Sequence, residues 1–217
     1  GTFLCQDCKS ILEISEYNYC LCNKNPQRLY DGKHGTCYSC KGKKLSGLYS
    51  ALPYKERFLT RKLIYQFKYP PHIKSLSKAL AKVLVEHFVL TGSNTNKIWQ
   101  DSILVPVPLE KGKLKNRGYN QTEELTKALG QMINVPTSLG NLLKVKETLP
   151  QTKLSAKERE ANLKNAFLLK NSLGLSGKKV FLVDDVYTTG STMEECARTL
   201  KDAGASKVWG IAIAREG

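Results

Sequence analysis

No apolar run in this 217-residue chain reaches the length a bilayer demands, and no signal-peptide pattern opens it. Both absences set the expectation of a soluble, cytoplasmic protein without a membrane span. Acidic residues are scarce, 19 Asp and Glu against 34 Lys and Arg, for a formal charge of +15 and an isoelectric point near 9.5. An imbalance of that size favours nucleic acid or another polyanion as partner. No Gly-x-x-x-x-Gly-Lys-Ser/Thr run occurs, which removes the phosphate loop of common nucleotide hydrolases. Cysteine is nearly missing beyond residue 40: six of the seven lie before residue 41, and only Cys196 follows. The chain starts at Gly1 rather than Met, so a trimmed chain, or a fragment with native sequence in front, is expected.

What is present starts with those six thiols. The length suits one medium domain with a real core plus a small appendage. Clustered cysteine pairs in a cytoplasmic-looking chain argue for metal rather than disulfides. Cys5-Gln-Asp-Cys8 and Cys37-Tyr-Ser-Cys40 have the knuckle spacing of tetrahedral zinc, while Cys20-Leu-Cys22 is a tighter pair. Two ligand sets stay open. In one, Cys20, Cys22, Cys37 and Cys40 hold one zinc, and Cys5 and Cys8 are half of a second site whose partner preceded Gly1. In the other, Cys5, Cys8, Cys37 and Cys40 bind together and the central pair is spare. His34, three residues before Cys37, is a candidate substitute ligand. The expected division is a cysteine-rich zinc-binding module over residues 1–46 and a main domain over 47–217.

Residues 180–193, VFLVDDVYTTGSTM, carry the densest chemistry. The apolar run 180–183 reads as a strand buried on both faces of a parallel sheet. Asp184 and Asp185 follow at its carboxyl end, where open α/β sheets bind ligands. Thr188, Thr189, Gly190, Ser191 and Thr192 are small or hydroxylated, so backbone amides can close on a phosphate. Ser191 and Glu194 have capping-box spacing, which opens a helix whose orphan amides and dipole suit an anion. Met193, Cys196, Ala197 and Leu200 then repeat at helical spacing, which makes Cys196 a core residue. Carboxylates beside an anion site make sense for a ribose phosphate: hydroxyls donate to the aspartates, the phosphate sits in the loop, and Mg²⁺ bridges the rest.

Upstream, residues 45–54 read as a strand entering the main domain. A helix follows with Leu59, Leu63 and Phe67 on one face and Arg61, Lys62 and Lys68 elsewhere on it, solvated by default, with phosphate contact as the alternative. A second helix turns Ile73, Leu76, Leu80, Val83, Leu84, His87 and Phe88 toward a core, with His87 packed rather than ligating. After a strand at 102–107, Lys111, Lys113, Lys115 and Arg117 concentrate charge on what reads as a loop suited to pyrophosphate. Asn120 caps the helix that follows.

The 180–193 stretch resembles the 5-phosphoribosyl-1-pyrophosphate (PRPP) motif of type I phosphoribosyltransferases: a hydrophobic run, Asp-Asp, then Thr-Gly-x-Thr. The run Arg117-Gly118-Tyr119-Asn120-Gln121 after Val-Pro-Val-Pro is similar to the signature of the ComF family, which usually has Phe where this chain has Tyr119. The stretch from Leu154 to Phe167 is also similar to that family's segment ahead of the PRPP strand. The resemblance implies an α/β, type I phosphoribosyltransferase-like, mainly parallel sheet flanked by helices, with an N-terminal zinc ribbon. It implies Asp184 and Asp185 on the ribose diol or metal, Thr188 to Thr192 on the 5-phosphate, and Lys111 and Arg117 on pyrophosphate. A mobile hood over residues 144–160 is implied as well. Implied cofactors are structural zinc and magnesium, with PRPP as substrate or ligand. Displacement of pyrophosphate from ribose C1 and a role in DNA uptake, alongside other uptake proteins, follow from the same likeness. Neither a purine-recognition element nor an N-terminal cysteine glutaminase can be read, which sustains an alternative. The chain is then a single-stranded-DNA-binding competence factor with Tyr54, Tyr69 or Tyr119 as stacking candidates.

Overall fold

The computed structural model describes residues 6–29, 35–55, 57–93, 96–146 and 162–216, and of residues 6, 8 and 9 the backbone alone. Its centre is a sheet of four parallel strands, β3 (Leu48–Pro53), β4 (Ser102–Pro106), β7 (Lys179–Tyr187) and β8 (Lys207–Arg215), ordered β3-β8-β7-β4. The two inner strands are the most apolar: Val180, Phe181, Leu182 and Val183 are all buried, as are residues 211–214. A strand covered on both faces has no polar side to alternate with, and the continuous apolar run reflects that. Register fixes the neighbours, with Val180 opposite Ile103 on one side and Val208 on the other.

Helices α2 (Phe58–Lys68), α3 (Leu76–Leu90) and α6 (Gln121–Ile133) cover one face. Their Leu63, Phe67, Leu80, Leu84, Leu125 and Leu129 form one buried cluster with Phe181, Val183 and Ile211. His87 lies in that layer and its Nδ1 is 2.7 Å from the Ser15 carbonyl, a packed histidine as expected. Helix α7 (Ser191–Asp202) covers the other face through Met193, Cys196, Ala197 and Leu200. The same cluster takes in Cys20, Leu21, Cys40 and Leu45, so the described part of the N-terminal segment shares its core with the sheet. Small antiparallel pairs, β1 (Asn18–Tyr19) with β2 (Arg28–Leu29) and β5 (Leu142–Lys144) with β6 (Phe167–Leu169), complete the described sheets.

The α/β class and its mainly parallel sheet are as expected; three local details differ. The central strand does not stop before Asp184, because pairing with β8 continues through Val186 and Tyr187. The basic stretch after β4 is a short helix, α5 (Lys111–Arg117), not a loop. Lys, Leu and Arg are good helix formers, and Gly118 ends the turn at φ 78°, donating its amide to the Leu114 carbonyl at 2.8 Å. Ser191 is the first helical residue rather than the cap, since Gly190 holds the left-handed position at φ 80°. Glu194 therefore has no serine to reciprocate. Its carboxylate accepts the amides of Lys44 and Leu45 instead.

Candidate functional site

The carboxyl ends of β4 and β7 open into a cleft of about 660 Å³. Asp184 and Asp185 form its floor, the start of α6 and the end of α2 one wall, α5 and Lys144 another, and Thr192 its edge on the side of the turn that follows β7.

The two aspartates differ sharply. Strand alternation turns Asp185 toward α2 and α6, where it is 4% exposed and fully occupied. Lys68 Nζ lies 2.7 Å from one of its oxygens, and Gln121 Nε2 donates to the other at 2.9 Å. Gln121 Oε1 in turn accepts from the Arg117 guanidinium. A chain of charge-assisted bonds thus joins Arg117, Gln121, Asp185 and Lys68 beneath the cleft. Burial opposes the Lys68 charge, but the Asp185 carboxylate, with Asp184 beside it, outweighs that and holds the ammonium above its ordinary range.

Asp184 points the other way, toward α7. Among the described residues it accepts a hydrogen bond from the backbone amide of Asp185, at 2.8 Å, and no side chain donates to it. Burial, reinforced by the Asp185 charge, pushes its carboxyl up to about 8. One acid is therefore spent on holding the site together and the other keeps lone pairs for a ligand. A ribose diol, a metal-bound water or a cation would each relieve the cost of keeping it charged there.

Local sequence explains the placement. Asn120 Oδ1 accepts the Thr122 amide at 3.2 Å, and Thr122 Oγ1 donates to the Val107 carbonyl at 2.6 Å, pinning α6 to the end of β4. Tyr119 uses its hydroxyl as well as its ring, donating to the Phe67 carbonyl one residue before Lys68. In the turn after β7 Thr189 Oγ1 lies 3.0 Å from Ser191 Oγ, and Gly190 turns back so closely that a Cβ there would meet Tyr187 Oη at 2.3 Å. Only a glycine fits that position.

Of the expected site residues, Asp184, Asp185, Thr192 and Arg117 line the cleft; Thr188, Thr189, Gly190 and Ser191 continue from Thr192 outside its wall. Lys111 is exposed on α5 and does not line it, whereas Lys113 does. Gln121 had no assigned place there, Lys68 had phosphate contact only as the alternative to a solvated face, and Lys144 was placed in the hood; all three line the cleft. A signal for Lys68 existed: Ile64, one helical turn earlier, is 1% exposed, so position 68 shares a buried stripe. Lys144 is neutralised in part by Glu110 at 3.2 Å. Most of the expected hood, residues 147–160, lies outside the described residues, as does most of the segment from Leu154 to Phe167.

Away from the cleft the structure gathers Cys20, Cys22, Cys37 and Cys40, with all four sulfurs within 4.8 Å of one another. The Cys22–Cys37 and Cys37–Cys40 separations are 3.5 and 3.6 Å. Four thiolates at zinc–sulfur bonding distance around one ion sit about 3.8 Å apart, so the set fits a tetrahedral zinc. Burial works against the Cys37 thiolate, but hydrogen bonds from Cys22 and Cys40 bring its pKa down to about 6. Burial, then the hydrogen bond to Cys37, raises Cys22. One thiol is thus ready to lose its proton and a metal would draw off the rest. Cys5, the Cys8 side chain and His34 lie outside the described residues.

A model described as "Phosphoribosyl transferase domain" matches residues 125–216. The chain is 38% identical over 156 residues to "Competence protein F" of Haemophilus influenzae, covering 70% of this chain and 67% of that protein. It is 35% identical to "DNA utilization protein YhgH" of Salmonella typhi, covering 67% of this chain and 63% of that one. "Competence protein ComFC" of Streptococcus pneumoniae is 31% identical over 55% of this chain and 50% of its own length. The chain thus spans about half to two thirds of these relatives.

Proposed function

The chain belongs to the ComF family of competence and DNA-utilization proteins with a phosphoribosyltransferase domain, and from that premise we propose that its cleft binds PRPP with magnesium in the service of DNA uptake. The observation that carries the reading is the division of labour between the aspartates. Asp185 is consumed by Lys68 and Gln121, and Asp184 is left as an open acceptor beside a small-residue turn.

In this reading Asp184 accepts hydrogen bonds from the ribose hydroxyls. Amides over Thr188, Thr189, Gly190, Ser191 and Thr192 hold the 5-phosphate, aided by the positive end of α7. Lys113, Arg117 and Lys144 face the pyrophosphate, while Lys68 holds Asp185 and adds positive potential from below. Magnesium, when bound, supplies further charge neutralisation on the pyrophosphate. The reaction class is displacement of pyrophosphate at ribose C1 by an acceptor nucleophile, whose bond to C1 forms as the C1–O bond to pyrophosphate breaks and the basic wall stabilises charge on the leaving group. Residues 1–46 form the zinc-binding module, in which Cys20, Cys22, Cys37 and Cys40 hold one structural zinc, and residues 47–217 form the transferase-like domain. Equilibrium dialysis of labelled PRPP against the protein, with and without magnesium, tests the reading. Saturable retention that needs the metal supports it, and no retention at millimolar PRPP refutes it.

A second reading, single-stranded-DNA binding, is favoured by one feature of α2. Phe58, Lys62, Tyr65 and Tyr69 form an exposed stripe at 4-3-4 spacing; the three aromatics are 72%, 59% and 46% exposed. The Tyr65 and Tyr69 rings lie 4.8 Å apart, and Arg117 stands 5.6 Å over Tyr69 at the cleft mouth. Aromatic faces interleaved with cations on a +15 chain suit a flexible polyanion whose bases can stack. Tyr119 and Tyr54 are half-buried packing residues, so Tyr69 is the one earlier stacking candidate in this stripe.

A further inference from the structure

The four-thiol cluster and the phosphate loop touch the same side chains. Tyr187 is the last residue of β7 and immediately precedes the loop. It is 1% exposed, and its hydroxyl donates at 3.0 Å to the carbonyl of Leu21, the residue between Cys20 and Cys22. The same hydroxyl is what a Cβ on Gly190 would strike, so the loop folds directly over it. Burial keeps this phenol protonated and hence a donor.

Two further contacts run between the same regions. Glu194, in the first turn of α7, accepts the amides of Lys44 and Leu45 just beyond Cys40. Arg215, at the end of β8, donates to the carbonyls of Cys20 at 3.1 Å and Cys22 at 2.8 Å. Its guanidinium also lies 5.8 Å from the centre of the Tyr187 ring. The Cys20–Cys22 backbone is therefore gripped by Tyr187 and Arg215, and the chain that leads away from Cys40 by Glu194. The grips are specific hydrogen bonds within one packed core, so the two regions cannot shift independently.

We propose that Tyr187 is a positioning residue that couples the metal-thiolate cluster to the phosphate loop, so that zinc occupancy and ribose 5-phosphate affinity reinforce each other. The proposal rests on the ribose-phosphate reading of the cleft. A filled cluster fixes the Cys20–Cys22 backbone, and with it the Leu21 carbonyl. That carbonyl fixes the Tyr187 hydroxyl, which is the floor on which Gly190 turns. When the cluster is empty, the Cys20–Cys22 backbone loses the added restraint of the metal–sulfur bonds and keeps only its hydrogen bonds, so the floor of the loop is held less firmly. A coupling of this kind is reciprocal: whatever zinc adds to ligand affinity, ligand adds to zinc affinity. A merely structural zinc would stabilise the fold without that symmetry.

The test uses the full chain reconstituted with zinc and ribose 5-phosphate as probe, since that ligand reports on the loop without the pyrophosphate wall. Zinc affinity is measured at equilibrium against a chromogenic chelator, with and without saturating ribose 5-phosphate. Ligand affinity is measured in parallel for wild type and Tyr187→Phe at equal zinc content. The expected result is tighter zinc retention with ligand by at least about fivefold, and a similar loss of ligand affinity in the variant. Chelator competition that ignores the ligand overturns the coupling, even where ribose 5-phosphate binds well. The wild-type chelator arm needs no variant, so it decides the matter even where Tyr187→Phe misfolds. Absence of ribose 5-phosphate and PRPP binding to the zinc-loaded protein removes the cleft reading itself and the coupling with it.

Discussion

Lys68 Nζ and Asp185 Oδ1 stand 2.7 Å apart, the end of α2 reaching under the end of β7. The pair is largely withdrawn from water, with side chains 23% and 6% exposed. Removing one partner leaves the other charged in a poorly solvated place. Lys68→Met is expected to cost about 3 kcal/mol, read from the urea midpoint. Adding Asp185→Asn should recover part of that, with a coupling of at least about 1 kcal/mol in the double-mutant cycle. Strict additivity would show that the two groups do not interact.

The pH dependence of stability follows from Asp184. Its folded pKa is raised to about 8, above an ordinary value of about 3.9. Between those values the folded protein binds the proton more readily than the unfolded chain. Stability from this group is therefore full below about pH 4 and lost as pH rises through about 8. Urea midpoints of wild type should fall relative to Asp184→Asn as pH goes from about 5 to about 8. Parallel curves would contradict the shift.

Gly190→Ala meets two obstacles, a left-handed φ of 80° and Tyr187 Oη at 2.3 Å from the new methyl. A loss of about 2 kcal/mol is expected, with weakened ribose-phosphate binding in whatever folds. An unchanged melting temperature would mean that the loop does not pack on Tyr187.

Zinc content provides a separate check. Protein purified with zinc should carry a tightly held ion on Cys20, Cys22, Cys37 and Cys40, and Cys20→Ser or Cys40→Ser should abolish it and lower the melting temperature. Retention of that ion in both variants would move the metal to other ligands.

For nucleic acid, Tyr65→Ala should weaken single-stranded-DNA binding by about 1–3 kcal/mol, and affinity should fall steeply with salt. Equal affinity for duplex, or a flat salt response, would remove α2 as a stacking surface.

Much of this was legible in the sequence because it is local. The run VFLV states a strand buried on both faces, and Asn120 states where a helix begins. Cys196 and His87 declared themselves as core by helical spacing, and both are fully buried. The parts that escaped depend on contacts between distant segments. Glu194 had the spacing of a capping box, but its partners are amides near Cys40. Asp184 and Asp185 are equivalent as letters and differ only because strand alternation gives one to Lys68 and Gln121 and the other to the cleft. Lys68 looked like a solvated cation because the apolar stripe was drawn through Leu63 and Phe67 without Ile64.

The central claim is that Asp184 is the ligand-facing acid of a PRPP site. A calorimetric titration of zinc-loaded protein with PRPP and magnesium, for wild type and Asp184→Asn, tests it most directly. The account predicts saturable binding by wild type and a loss of at least about tenfold in the variant, a hydrogen-bonded charge being worth about 1.5–3 kcal/mol. Equal binding by both proteins, or none by wild type at millimolar PRPP, would contradict it.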